Sequence, residues 1–162
     1  MIENTHLDHG ASINSPELII IHSMGEYVML NKKYHHAVKF LDLEGLSAHA
    51  LIAPDATNYR CRNDDEGAYH AKGFNKNSLG MEFLVPGEYY YASFLSRIAS
   101  PYVSDEQYSE GVRQTVEWLN LHPIKKIVRH SDLDPERKRD PGKGFPFMDF
   151  LHDIGIAPSG NV

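Results

Sequence analysis

Unbroken apolar runs alternate with polar, turn-forming stretches along this chain, and their spacing predicts the elements. Glu17 to His22 contains three successive isoleucines, the pattern of a strand covered on both faces. Between about Asn31 and Leu43, Tyr34, Ala37, Val38, Leu41 and Leu43 recur at helical spacing, with Gly45 as the stop. Ser47–Ala53 reads as a second strand, returning through Pro54–Thr57 into Asn58–Arg62 as a hairpin. Leu79–Val85 is a third core strand, ended by Pro86-Gly87. Tyr89 to Ile98 fits either irregular structure or a short helix. Ser104-Asp105-Glu106-Gln107 has the form of a capping box, and Tyr108, Val112, Val116 and Leu119 follow on one helical face. An apolar strand then leads to His130, a Pro-punctuated polar loop follows, and a last short helix is expected around Phe147–Ile154.

Neither a repeat nor a linker interrupts this pattern. The expectation is an α/β protein: a short N-terminal arm over residues 1–16 and one domain over 17–162, with a central mixed sheet flanked by helices. At 162 residues the chain suffices for one domain with a real core. A net charge of -6 argues against a nucleic-acid binder with a broad basic face. The single cysteine, Cys61, rules out an intramolecular disulfide. No apolar run is long enough for a membrane span, and the N-terminus lacks signal-peptide character. A cytoplasmic, monomeric protein is the resulting expectation, and release by a separate route or removal of a signal fits equally.

The chemistry concentrates where strands end. His22 and His130 each close an apolar strand, and Asp140 lies ten residues beyond the second. Two imidazole nitrogens and one carboxylate oxygen can hold a zinc ion with a fourth position left for water. Either histidine alone has an ordinary structural alternative; together with Asp140 they make an open zinc site in a groove at the strand ends the sharper reading. Glu82 sits in the middle of Leu-Gly-Met-Glu-Phe-Leu-Val, placed either on a polar strand face or toward that site as a general base. Lys138, within Arg137-Lys138-Arg139, is either solvated surface or an oxyanion-stabilising cation. His49 reads equally as structural or as a support to the site. His70, in a loop rich in Gly and Asn, is a candidate substrate contact.

Taken in order, Ile-Ile-Ile-His-Ser, Ser-Ala-His-Ala-Leu-Ile, Tyr-His-Ala-Lys-Gly-Phe-Asn-Lys-Asn-Ser-Leu-Gly-Met-Glu-Phe and Val-Arg-His-Ser-Asp-Leu through Lys-Arg-Asp-Pro-Gly resemble the zinc-dependent N-acetylmuramoyl-L-alanine amidases of the type-2 superfamily. That group includes bacteriophage lysozyme-like amidases, muropeptide-recycling amidases and peptidoglycan recognition proteins. The resemblance runs from about residue 17 to residue 150. It implies a hydrolase acting on peptidoglycan or soluble muropeptides, with Zn2+ held by His22, His130 and Asp140. It implies Glu82 and Lys138 as catalytic groups, and substrate contacts from His70, Lys72, Asn75 and Asn77, with His49 nearby. Some members carry a tyrosine just before the Ser-Ala-His histidine; Ala48 stands there, so the base role falls to Glu82. A non-catalytic peptidoglycan-binding module on the same fold is the alternative, one with no need of Glu82 or Lys138.

Overall fold

A computed structural model describes residues 1–25, 35–87 and 89–156. Six strands form one sheet in the order β1-β4-β3-β5-β2-β6. They are β1 (Ile2–Asn4), β2 (Leu18–Met24), β3 (Ala50–Ile52), β4 (Asn58–Arg60), β5 (Ser78–Leu84) and β6 (Lys126–Arg129). All neighbours run parallel except β3 and β4, which form the expected hairpin. The helices are α1 (His35–Leu43), α2 (Tyr91–Ile98), α3 (Asp105–Leu121), α4 (His130–Leu133) and α5 (Phe147–Asp153). This is the mixed α/β sheet flanked by helices that the pattern predicted.

Strand alternation divides the sheet into two faces. Ile19, Ile21, Ala50, Ile52, Leu79, Met81, Phe83 and Ile127 point one way and join Trp118 of α3 and Phe150 of α5 in the larger core. Leu51, Tyr59 and Leu84 point the other way, toward Ala37, Val38 and Leu41 of α1.

Helix α3 starts as predicted, with Ser104 Oγ accepting from the Gln107 amide at 3.1 Å. Its buried face differs from the expected one, being Gln107, Gly111, Gln114, Thr115 and Trp118. Tyr108, Val112 and Leu119 pack only at the core margin, and Val116 is exposed. The reason is close approach. A Cβ on Gly111 would stand 2.4 Å from Phe83 Cζ, so the helix meets the sheet where it has no side chain. Gln107 does not close the capping box; its amide instead donates to the carbonyls of Ile52 and Leu84, at 2.7 and 3.0 Å, where β3 and β5 end.

Three further boundaries differ from the sequence expectation. The N-terminal arm supplies edge strand β1, and Leu7 and Asn14 beyond it are buried. The helix expected from Asn31 is seen from His35, its first residues lying outside the described ones. Residues 130–133, expected as loop, form the helical turn α4: the Asp132 carboxylate accepts from the Arg129 amide at 2.9 Å, which turns the chain sharply as β6 ends.

Candidate metal centre

Parallel pairing lines up the functional side chains. His22 of β2 is the register partner of Glu82 of β5. On the other side Ile21 pairs with Arg129, so His130 follows β6 at the level where His22 follows Ile21. Glu82 and His22 therefore occupy one level of adjacent strands on one face of the sheet, and His130 opens α4 beside them as β6 ends. Asp140 reaches the same point from the loop after α4. Hydrogen bonds hold that loop: the Ser131 amide donates to the Asp140 carbonyl at 3.0 Å, the buried Tyr102 hydroxyl to the Pro141 carbonyl at 3.0 Å, and the Gly144 amide to the Ile98 carbonyl at 2.7 Å.

His22 Nδ1 and His130 Nδ1 lie 3.2 and 3.0 Å from the same carboxylate oxygen, Asp140 Oδ2. One potential ligand atom from each residue falls within 4.8 Å of the others. Both rings are almost fully buried, whereas Glu82 is partly open, with Oε1 3.8 Å from His22 Nδ1. Burial pushes the His22 imidazole below its ordinary value, overriding the opposing pull of the Asp140 carboxylate. Burial by itself would raise the Asp140 carboxyl, but the two facing imidazoles hold it well below the usual carboxylate range. A carboxylate oxygen and two imidazole nitrogens aimed at one point form a donor set suited to zinc with an open coordination position. The cluster floors a groove of about 390 Å³, whose walls include Tyr69, Lys72, Tyr91, Phe94, Arg137 and Lys138.

Residues 12–143 match the family described as N-acetylmuramoyl-L-alanine amidase. The chain belongs to that family. No protein of curated function matches it in sequence. Among solved structures it is similar to the N-acetylmuramoyl-L-alanine amidase LysC from Clostridium intestinale, with a TM-score of 0.69 and 21% identity over 96% of this chain and 99% of that one. A selenomethionine AmpD structure gives 0.72 and 22% over 94% and 93%. AmpDh3 from Pseudomonas aeruginosa, in complex with anhydromuramic pentapeptide, gives 0.71 and 22% over 90% of this chain and 62% of that one. At these identities the likeness establishes the fold.

On this amidase fold the residues singled out in the sequence separate into two groups. His22, Glu82, His130, Lys138 and Asp140 meet at the groove, and His70, Lys72 and Asn75 line it. The Asn75 side-chain oxygen is occupied in folding the loop, accepting from the amides of His70 and Ala71 at 3.2 and 2.9 Å. Asn77 lies outside the groove wall, its carbonyl accepting from the Glu17 and Leu18 amides. His49 is fully buried beneath the groove. Its Nδ1 accepts from the Gly80 amide at 3.0 Å, and its Nε2 meets the Glu66 carbonyl at 2.9 Å. Both ring nitrogens of His49 are thus committed to backbone groups, and it lies outside the groove lining. Burial lowers its pKa to about 4, so the ring stays neutral.

Sequence reasoning did not single out Ser78, Tyr102 or Tyr91. Ser78 and Tyr102 act through contacts that cross from one element to another, and no local signal marks them. Tyr91 lines the groove and is 60% exposed.

Proposed function

We propose that this chain is a zinc-dependent N-acetylmuramoyl-L-alanine amidase, hydrolysing the amide between the lactyl group of N-acetylmuramic acid and the L-alanine of the stem peptide. The observation that carries the reading is the convergence of His22, His130 and Asp140 beside Glu82 in an open groove. Zinc held by these three residues supplies Lewis-acid activation of a water and of the scissile carbonyl. The Glu82 carboxylate takes the proton of the attacking water and later delivers it to the departing L-alanine amine. General acid–base transfer of this kind contributes about 10²–10⁴-fold. The Lys138 ammonium stabilises the negative charge that develops on the carbonyl oxygen. Lys72 and Asn75, which line the groove, contact the substrate. The anhydromuramic pentapeptide held by the AmpDh3 neighbour supports peptidoglycan or its soluble fragments as the substrate class.

Peptidoglycan recognition proteins LCa and LCx, solved with tracheal cytotoxin bound, share the fold at a TM-score of 0.60. A binding module is therefore the reading to eliminate. The test follows release of free stem peptide from purified muropeptides and from intact murein, with and without a chelator, on protein of measured zinc content. Chelator-sensitive cleavage at the lactyl–alanine bond is expected, and the preferred substrate identifies the physiological one. Stoichiometric zinc with binding but no cleavage makes the chain a recognition module. Cleavage that survives verified zinc removal overturns the mechanism.

A further inference from the structure

His70 was expected at the substrate, yet its ring is turned toward the metal centre. Its Nδ1 lies 2.9 Å from His22 Nε2, the nitrogen of His22 that faces away from Asp140. Its Nε2 lies 3.1 Å from Ser78 Oγ, which in turn donates to the Phe74 carbonyl at 2.7 Å. We propose that His70 is a positioning residue: with Ser78 and the Phe74 carbonyl it fixes the proton of His22 on Nε2 and so presents the bare Nδ1 to the metal. The inference rests on the zinc reading above.

The direction of every bond follows from the last acceptor. A carbonyl oxygen only accepts, so the Ser78 hydroxyl spends its one proton on Phe74. Ser78 Oγ must then accept from His70, which places the His70 proton on Nε2. A neutral His70 is left with a lone pair on Nδ1, so His22 donates to it from Nε2. His22 Nδ1 consequently carries a lone pair, 3.2 Å from a carboxylate oxygen that also only accepts. Two acceptors at that separation repel each other unless a cation stands between them. The chain of bonds thus selects the tautomer that suits a metal ligand, as partners of ligating histidines generally do.

The fold makes a seat for this ring. His70 lies over Gly80 of β5, where a Cβ would stand 2.5 Å from its Nδ1. The Gly80 amide is held from beneath by His49. The far end of the chain is the loop around Phe74, whose neighbours Ala71, Lys72 and Asn75 line the groove. The loop facing the substrate and the first metal ligand therefore share one line of hydrogen bonds.

The experiment measures zinc affinity by chelator competition for the wild type, His70→Phe, His70→Asn and Ser78→Ala. Ring 15N NMR of the metal-free and zinc-loaded wild type accompanies it. His70→Phe keeps a ring but removes the acceptor, and affinity is expected to fall about 10–100-fold. The asparagine oxygen approximates the Nδ1 position, so His70→Asn should recover most of that loss. Ser78→Ala should fall between the wild type and His70→Phe. In the wild type, His22 should carry its proton on Nε2 and His70 its proton on Nε2, with or without zinc. Wild-type affinity in His70→Phe, or an asparagine variant no better than phenylalanine, overturns the inference. So does a His22 proton on Nδ1 in the metal-free protein. If His70→Phe does not fold, the wild-type spectra decide. A wild type that binds no zinc defeats the metal reading instead, and the metal-free spectrum still judges the tautomer.

Discussion

Beneath α3 and α5 the sheet presents Ile19, Ile21, Met81, Phe83 and Ile127, a closed apolar surface. On its reverse the same strands present His22, Gly80 and Glu82, with His49 and His70 against them. One residue of offset along a strand separates the two. The apolar face holds the strands in place through area removed from water. That rigidity lets the other face carry histidines and carboxylates around the ends of β2 and β5, while the rest of that face packs Leu51, Tyr59 and Leu84 against α1 as a second, smaller core. Around the site itself, stability and chemistry are divided by the pleat.

Adjacent positions of β5 offer the sharpest way to break this division. Glu82→Ala should lower turnover by about 10²–10⁴-fold while zinc content stays at one per chain. Full activity with bound zinc would remove Glu82 from the mechanism. Phe83→Ala, one step along and on the opposite face, should cost about 3–5 kcal/mol in a denaturant titration. The zinc affinity of the folded protein should remain near wild type, and a large loss there would mean the faces are not independent.

Mild acid probes the buried histidines. His49 has a pKa of about 4 in the folded chain against an ordinary 6.5, so the unfolded chain binds the extra proton first. Its contribution is complete above about pH 6.5 and fades as the pH drops toward 4, a loss of about 3 kcal/mol at ~1.4 kcal/mol per pH unit. Burial likewise holds His70 well below its ordinary value, which acts in the same direction. Denaturant midpoints across that range should show the decline, and a His49→Gln variant should flatten it; an unchanged slope in the variant would assign the acid sensitivity elsewhere. The smallest effect is expected where α3 touches the apolar face. Gly111→Ala must push Phe83 aside and should cost about 1–3 kcal/mol with turnover retained.

Legibility in the sequence followed the same divide. β2, β5 and α3 announced themselves through runs of apolar residues and a serine cap, signals contained within one element. β1 gave none, since all three of its residues are exposed at the sheet edge. The cluster of His22, His130 and Asp140 was readable because two histidines close two strands and a parallel sheet brings such ends together. His49 stayed ambiguous because the backbone groups that occupy it belong to Gly80 and Glu66, distant in sequence. The link from His70 to His22 was hidden for a similar reason. It depends on a glycine in β5 that leaves room for the ring, and sequence spacing does not reveal which side chain fills the space above a glycine.

The shared level of Glu82 and His22, with His130 beside them, has a consequence for redesign. Strands in a sheet stand about 4.8 Å apart, so the points where Glu82 and His22 leave the backbone are spaced by the hydrogen-bond ladder, and His130 leaves it one residue past the last paired position of β6. What remains adjustable is reach. Aspartate at position 82 would draw the carboxylate back by one methylene while both histidines kept their roots. The sheet serves as a ruler, and the length of one side chain sets where along it the carboxylate is read.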